Sequence, residues 1–330
     1  MTTLAAMAAA LGAGAVLLAA PPAAVAASPT PADSASPTAS LTASPTDSPV
    51  PAGSASAAAS DTPTATISPS PSPSPIPSPG QSQVQVLHVA SSDPGRTSRS
   101  IYVYRPAVPD SPTLPVLYLL HGQFGSPNDP FSAGLRSTLD RLFASGTAPF
   151  VVAVPEGSST VRSDDEWGDA DDGADQLETF VTRDAIDAVE GPLRRDRAHR
   201  AIAGFSMGGY GAAVDAARRN SLFGQFVSFA GYFHLDDPQH VFGSNRTVRY
   251  VHTPLLRTSQ YDHTRVLLLD ASQENEPVVV GELGRMRAAL AARHHAPGAA
   301  VTAGTHSWAW VTNQWPLVGR FLGQGWGRYL

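Results

Sequence analysis

The sequence contains no cysteine. Disulfide bonds, a thiolate nucleophile and a zinc site with cysteine ligands are therefore excluded. Positive charge is also scarce: 22 basic residues, every one an arginine, face 28 Asp and Glu residues, for a net charge of −6 at pH 7. A protein that holds nucleic acid through its phosphates needs a basic surface, so this balance argues against a nucleic-acid partner.

Residues 1–27 have no charged side chain and are mostly apolar, with Leu11, Val16, Leu17 and Leu18 set among Ala and Gly. The segment ends in the small residues Ala24-Val25-Ala26-Ala27, which is typical of a secretory signal peptide and its cleavage site. The basic residues that normally begin such a peptide are missing, so an uncleaved N-terminal anchor is the alternative. Either interpretation predicts a secreted or cell-surface protein.

Residues 28–83 lack the apolar side chains of a folded core and consist mostly of Ser, Pro, Thr and Ala. Their only charges are Asp33, Asp47 and Asp61, and Ser68–Pro75 is an alternating Ser-Pro repeat. Such a composition cannot offset the entropy cost of ordering the backbone, so we expect a disordered low-complexity linker. In an exported protein it would serve as a stalk associated with the cell wall, although a linker without further function has the same composition.

Residues 84–330 have the pattern of one folded domain. Two segments alternate with period two and predict antiparallel edge strands, at 84–89 and 101–104. Continuous apolar runs predict strands covered on both faces, at 115–120, 150–154, 199–203, 226–230 and 266–269. Helical patterns separate them, at 135–142, 177–189 and 283–290. We therefore predict an α/β domain with a mainly parallel central sheet and helices on both faces.

The segment from Ala201 to Tyr210 contains Gly-x-Ser-x-Gly between a predicted strand and a pattern of small residues typical of a tightly packed helix. This is the context of a nucleophile elbow, in which a serine on a strained turn is presented at the carboxyl edge of the sheet. Gly204 and Gly208 leave room for the close approach of neighbouring backbone. The pattern predicts Ser206 as a nucleophile.

His121-Gly122-Gln123-Phe124-Gly125 follows another predicted strand. A glycine-flanked loop at this place can direct backbone N–H groups toward a developing oxyanion, together with the N–H of Met207. His121 opens the loop and precedes Ser206 in the chain, so we expect a structural role for it rather than that of a base.

A general base and an acid are expected after the nucleophile in the chain. His306 lies in a glycine-containing loop near the end of the sequence, before a predicted final helix, and is the candidate base. Three carboxylates follow the predicted strand 266–269 and could orient its imidazole: Asp270, Glu274 and Glu276. We favour Glu274, because it lies where the chain should turn back toward His306.

These motifs resemble the esterase D family of α/β-hydrolases. The resemblance rests on Leu119-Leu120-His121-Gly122, on Ala203–Ala212 around Ser206, on Gly304-Thr305-His306-Ser307-Trp308 and on Glu178-Thr179-Phe180. The family includes feruloyl and acetyl esterases, S-formylglutathione hydrolase and mycolyltransferases. It implies an α/β-hydrolase fold, Ser206 as nucleophile, His306 as base, and the N–H groups of Met207 and Gln123 as the oxyanion hole. A glutamate acid, as at Glu274, occurs in the mycolyltransferase branch.

The expected function is that of an exported serine esterase that hydrolyses carboxylic esters through an acyl-enzyme on Ser206. No metal and no organic cofactor is expected, and the substrate would be a small-molecule, lipid or carbohydrate ester. One alternative is an acyltransferase of the mycolyltransferase type, which moves an acyl group to a sugar or lipid alcohol. The other is a catalytically silent surface protein with the same fold.

The stretch Ser163–Asp172 holds six acidic residues. It lacks the ligand spacing of an EF-hand calcium loop, so we expect a solvated lid near the mouth of the site instead. Trp167, within this stretch, is expected to line the pocket for the acyl or alcohol part of the substrate.

Overall fold

A computed structural model describes residues 80–91, 93–94 and 96–327. The predicted signal peptide or anchor, and the predicted linker as far as residue 79, lie outside these residues. Gln83, which the sequence assigned to the linker, is the first residue of the first strand.

The described residues form one eight-stranded sheet. Its strands are β1 Gln83–Ala90, β2 Ser98–Arg105, β3 Val116–Leu120, β4 Val151–Pro155, β5 Arg200–Phe205, β6 Gln225–Phe229, β7 Arg265–Ala271 and β8 Gly298–Thr302. Their order is β1-β2-β4-β3-β5-β6-β7-β8. The pairs β1–β2 and β2–β4 are antiparallel, and all other pairs are parallel. The predicted α/β-hydrolase fold with a mainly parallel sheet is confirmed.

The burial of the strands follows their apolar runs. β3, β4, β5 and β6 are buried at every position, as expected of strands covered on both faces. β1 alternates between exposed and half-buried residues and lies at the edge of the sheet. The prediction that 101–104 is also an edge strand is wrong, because β2 pairs with β4 on its other side.

The helices are α1 Asp129–Ser132, α2 Leu135–Ala144, α3 Leu177–Thr179, α4 Ala185–Glu190, α5 Met207–Arg218, α6 Arg246–Val251, α7 Glu282–Ala291 and α8 Trp308–Trp326. A π-helical turn, Phe180–Asp184, joins α3 to α4, so the predicted helix over 177–189 is continuous but wider in its middle. Within the described residues, no helix has the length and apolarity needed to cross a membrane.

The parallel strands bring the loops with chemically active side chains to one edge of the sheet. β3 and β5 are neighbours, with Leu120 opposite Gly204, so the loop after β3 begins beside the turn after β5. β7 and β8 are neighbours as well, with Ala271 opposite Thr302. Since ligand sites of such sheets form at the carboxyl ends of the strands, the topology itself gathers the predicted site residues.

Candidate active site

Ser206 occupies a strained turn between the end of β5 and the start of α5. Its φ is +57° and its ψ is −122°, a conformation that side-chain-bearing residues rarely adopt. The Ser206 N–H donates to the Phe229 carbonyl on β6 over 3.0 Å, which ties the turn to the neighbouring strand. Within the described residues the Ser206 hydroxyl has no hydrogen-bond partner, and the residue is only partly buried. The hydroxyl is therefore presented to solvent by a rigid support.

The two glycines of the motif are required by the close approach of backbone. A Cβ added at Gly204 would lie 1.9 Å from the carbonyl oxygen of Gly208, and one added at Gly208 would lie 2.3 Å from that of Leu120. Neither position can accept a side chain unless the backbone moves, as the motif predicted.

The loop after β3 lies against the elbow. A Cβ added at Gly122 would lie 3.3 Å from the Cβ of Ser206. The Gly125 N–H donates to the Gly122 carbonyl over 3.0 Å and closes a tight turn, in which Phe124 has a φ of +57°. Within the described residues, the N–H groups of Gln123 and Met207 donate to no protein acceptor. Two free donors thus flank Ser206 on different elements.

His121 has the structural role that its position suggested. Its Nε2 accepts from the Gly157 N–H over 3.0 Å, and its Nδ1 lies 2.9 Å from the Gly122 carbonyl. Burial lowers the pKa of His121, which keeps the imidazole neutral with Nδ1–H as donor. This side chain joins the loop after β3 to the loop after β4.

His306 and Glu274 are brought together across the β7 and β8 loops. The Nδ1 of His306 lies 2.8 Å from the Oε2 of Glu274, and both side chains are mostly buried. Glu274 Oε1 accepts from the N–H groups of Asn275 and Glu276 over 3.0 Å each, which fixes the plane of the carboxylate. The Gln273 N–H donates to the Gly304 carbonyl over 3.0 Å and holds the two loops together.

Phe205 connects this pair to the elbow. Its ring centroid lies 4.5 Å from that of the His306 imidazole and 5.0 Å from that of Trp308, at the start of α8. Because Phe205 directly precedes Ser206, the imidazole is packed against the residue next to the serine. The sequence analysis did not identify this contact, since an aromatic residue before the serine has no distinctive spacing to His306.

The other two candidate acids are placed differently. Glu276 is exposed and its side chain makes no hydrogen bond within the described residues. Asp270 is buried at the end of β7, where its Oδ1 accepts from the Ala271 N–H over 2.9 Å. Burial, with the negative charge of Glu274 as the next cause, raises the pKa of Asp270 to about 6. Neither carboxylate contacts His306 through a hydrogen bond.

The acidic stretch after β4 differs from the expectation. Asp164, Asp165 and Glu166 are buried, and Trp167 is 2% exposed, so a solvated lid with Trp167 lining the substrate pocket is wrong. The indole fills space left by Gly157 and Gly211, where an added Cβ would lie 2.3 Å and 2.8 Å from the nearest ring atoms. Its Nε1–H donates to the His121 carbonyl over 3.0 Å. The turn is therefore tied to the loop after β3.

Metal binding finds no support in these side chains. Among the described residues, no cluster of three or more His, Asp or Glu side chains has a geometry that could hold a metal ion. The chemistry available at this edge of the sheet is that of a serine hydroxyl, an imidazole, a carboxylate and free backbone N–H groups.

Comparisons with known proteins show the family to which the chain belongs. The model of the family described as "Putative esterase" matches residues 92–315. An uncharacterised protein of Corynebacterium glutamicum is 30% identical over 148 residues, which cover 42% of this chain and 34% of that protein. The chain thus spans about a third of the length of this relative.

Three solved structures share the fold. A ferulic acid esterase has a TM-score of 0.64 at 21% identity, covering 74% of this chain and 99% of that one. The S-formylglutathione hydrolase of Agrobacterium tumefaciens has a TM-score of 0.61 at 16% identity, covering 73% and 95%. MPT51 of Mycobacterium tuberculosis has a TM-score of 0.59 at 18% identity, covering 74% and 98%. At these identities the similarity establishes the fold alone.

The family model spans more than half of the chain and includes the elbow, the loop after β3, Glu274 and His306. The chain therefore belongs to the family described as "Putative esterase", and its fold is that of the α/β-hydrolases.

Proposed function

We propose that the protein is a serine esterase that forms an acyl-enzyme on Ser206, with His306 as general base and Glu274 as its acid partner. The observation that carries the proposal is the Glu274–His306 hydrogen bond, which lies beside a serine held in a strained elbow. An imidazole whose Nδ1–H is held by a carboxylate presents its Nε2 as the proton acceptor.

The first step is attack on the ester. Ser206 Oγ bonds to the carbonyl carbon while its proton passes to His306 Nε2, and Glu274 stabilises the imidazolium that forms. The carbonyl oxygen becomes an oxyanion and receives hydrogen bonds from the N–H groups of Met207 and Gln123. Each such donor is worth about 2.7–4 kcal/mol of transition-state stabilisation. Collapse of the intermediate expels the alcohol, which takes its proton from His306.

The second step releases the acyl group. Water gives a proton to His306 Nε2 and bonds to the acyl carbon, and collapse of the second intermediate returns the proton to Ser206 as the acid leaves. An acceptor alcohol in place of water would give a new ester. We propose hydrolysis as the main reaction. Incubation of the enzyme with an acyl ester and excess glycerol or trehalose tests this, because a transacylated product in excess of free acid would make the protein a transferase.

Replacement of the nucleophile tests the mechanism. We expect Ser206→Ala to lower the kcat for a p-nitrophenyl acyl ester by about 10⁴-fold or more, because the residual machinery binds the substrate but forms no acyl-enzyme. Ser221→Ala, at an exposed serine just beyond α5, is the matched control and should keep full activity. Turnover by Ser206→Ala comparable to that of the wild type would exclude the acyl-enzyme on this residue.

We also propose that the protein is exported. The proposal rests on the sequence of residues 1–27 and on the stalk-like composition of residues 28–83. N-terminal sequencing of the protein recovered from the culture medium or the cell envelope should find a chain that begins after Ala27. A full-length chain confined to the cell interior would contradict it.

A further inference from the structure

A series of hydrogen-bonded side chains links two loops. One is the loop after β3 that carries Gln123, called here the oxyanion loop, and the other is the acidic turn after β4 that carries Asp164 and Glu166. Gln123 Nε2 donates to Asp164 Oδ2 over 3.0 Å. At the other end, the Tyr232 hydroxyl donates to Glu166 Oε2 over 2.6 Å. One oxygen of each carboxyl group is thus satisfied by a donor from a different part of the fold.

The second oxygen of each carboxyl group has no hydrogen-bond donor. Asp164 Oδ1 and Glu166 Oε1 are shielded from solvent, and within the described residues no N–H or O–H donates to either of them. The two carboxyl groups belong to the same turn, two residues apart, and each affects the pKa of the other; the Glu166 N–H also interacts with Asp164. Two ionised carboxylates cannot satisfy one another, because each only accepts hydrogen bonds. A proton between them removes both the unsatisfied oxygens and the repulsion.

Burial and neighbouring negative charges further favour a proton on this pair of carboxyl groups. In addition to burial, the negative charge of Asp236, in the loop after β6, raises the pKa of both groups. The charge of Asp165 also raises the pKa of Glu166, and the charge of Asp237 raises that of Asp164. Arg249 is the nearby cation, and it pairs with Asp237. Tyr232 is stacked on Tyr210 of α5, and both phenols are buried and neutral, their pKa values raised mainly by burial. Burial in this environment raises the pKa of Glu166 well above its usual range and raises that of Asp164 too.

The backbone is strained to hold this arrangement. Glu166 and Trp167 have consecutive φ values of +51° and +53°. Such backbone conformations are unfavourable and persist where the surrounding contacts fix them. Here the Trp167 indole donates to the His121 carbonyl, at the start of the loop that carries Gln123. The acidic turn and the oxyanion loop are therefore one connected unit.

We propose that Asp164 and Glu166 share one proton, and that the hydrogen-bonded chain Gln123–Asp164–Glu166–Tyr232 positions the oxyanion loop for acyl transfer at Ser206. Both carboxyl groups are positioning residues, because they act through Gln123 and do not touch the reacting atoms. The inference rests on the proposed function, since it concerns the N–H group of Gln123 that would receive the oxyanion.

Amide substitutions test the shared proton, because a primary amide supplies a permanent donor. In Glu166→Gln the amide oxygen accepts from Tyr232 and the NH₂ donates to Asp164. In Asp164→Asn the oxygen accepts from Gln123 and the NH₂ donates to Glu166. Each single variant should keep kcat/KM within about threefold of the wild type near neutral pH, because every partner is satisfied.

The double variant separates this account from a simple relief of negative charge. In Asp164→Asn with Glu166→Gln, two NH₂ groups face each other, and only reversal of the Gln123 amide or of the Tyr232 hydroxyl, which changes the contacts of the loop after β3 or of Tyr232, supplies an acceptor. We expect its kcat/KM to fall at least about tenfold below that of either single variant. If charge alone mattered, the double variant would match or exceed the single ones, and that result would overturn the proposal.

The pH profile is a second readout. Loss of the shared proton should lower the wild-type kcat/KM at alkaline pH, whereas Glu166→Gln should not show this decline, as it has no such proton to lose. Asp236→Asn, which removes a neighbouring negative charge, should keep the decline but move it to lower pH, because, besides burial, the charge of Asp236 raises the pKa of both carboxyl groups. An alkaline decline that is the same in the wild type and in Glu166→Gln contradicts the shared proton.

Failure of the inference and failure of the proposed function are distinguishable in the same assay. If the wild type hydrolyses no ester, or if Ser206→Ala is as active as the wild type, the proposed function fails. If Ser206 is required but the amide variants do not behave as described, only the shared proton fails. Thermal unfolding of each variant shows whether it folds, and if the double variant does not, the pH profiles of the single variants decide.

Discussion

At the scale of single residues, the site depends on which of three nearby carboxylates orients His306. Glu274 is hydrogen-bonded to the imidazole and is itself held by two backbone N–H groups. Asp270 is buried at the end of β7 and interacts with Glu274, whereas Glu276 is exposed to solvent. The three residues therefore have different functions despite their closeness in the sequence.

Amide variants of these carboxylates should differ accordingly. We expect Glu274→Gln to lower kcat by about 10³–10⁴-fold, because the amide no longer stabilises the imidazolium or fixes its tautomer. Glu276→Gln, two residues away and exposed, should retain wild-type kcat. Steady-state kinetics on one p-nitrophenyl ester compares the two, and equal effects of the two substitutions would contradict the assignment of Glu274.

Asp270 should affect stability more than activity. Its pKa of about 6 in the folded protein exceeds that of an unfolded aspartate, near 3.9, so the folded state binds the proton more tightly. The stability associated with this proton is fully present below about pH 4 and is lost as the pH rises through about 6.

Asp270→Asn carries a permanent donor toward Glu274 and has no proton to lose. Above about pH 6 we expect it to be more stable than the wild type by about 1–3 kcal/mol, and this advantage should disappear toward pH 4. Denaturant unfolding at several pH values measures the difference. An advantage that does not change with pH would contradict a buried, titrating Asp270.

At the scale of elements, the elbow is a tight contact between β5, α5 and the end of β3. The added Cβ of Gly204→Ala would lie 1.9 Å from a backbone oxygen, so either the helix or the strand must move. We expect a loss of at least about 3 kcal/mol in the free energy of unfolding, or no folded protein. Activity of any folded fraction should fall as well, since Ser206 lies between the two elements that shift.

Gly284→Ala is the matched control for that substitution. Gly284 lies in α7, and an added Cβ there meets nothing within 4 Å. It should stabilise the protein by about 0.5–1 kcal/mol, because alanine loses less backbone entropy in a helix. Urea unfolding midpoints of the two variants should therefore move in opposite directions, and a harmless Gly204→Ala would contradict the described elbow.

The elements were predictable where one local pattern decides them. The apolar runs that became β3, β4, β5 and β6 are buried on both faces, and their short length between turns favours strands over helices. The interior place of β2 was not predictable, because it depends on the order in which distant strands pair. The alternation along 101–104 is the same whether β4 lies beside it or not.

At the scale of the whole molecule, the motif around Ser206 and the chain order of Ser206, Glu274 and His306 predict a hydrolase-type site, since the topology gathers the ends of parallel strands. The choice among Asp270, Glu274 and Glu276 needed the structure, because it depends on how the β7 loop turns toward the β8 loop.

The burial of the acidic turn was not predictable either. Its carboxyl groups are accommodated by partners from other regions of the chain, Gln123 and Tyr232. A local cluster of charges normally indicates a solvated surface, and only long-range contacts can reverse that. The sequence thus indicated the candidate residues Ser206, Glu274 and His306 more readily than the buried contacts around them.

The most direct test of the central claim is to find which residue becomes covalently modified. The full-length protein is treated with a fluorophosphonate, digested, and analysed by peptide mass spectrometry. The account predicts one stoichiometric adduct on Ser206, which is lost in Ser206→Ala and formed much more slowly in Glu274→Gln. Modification of another residue in place of Ser206, or no modification of a folded protein, would contradict it.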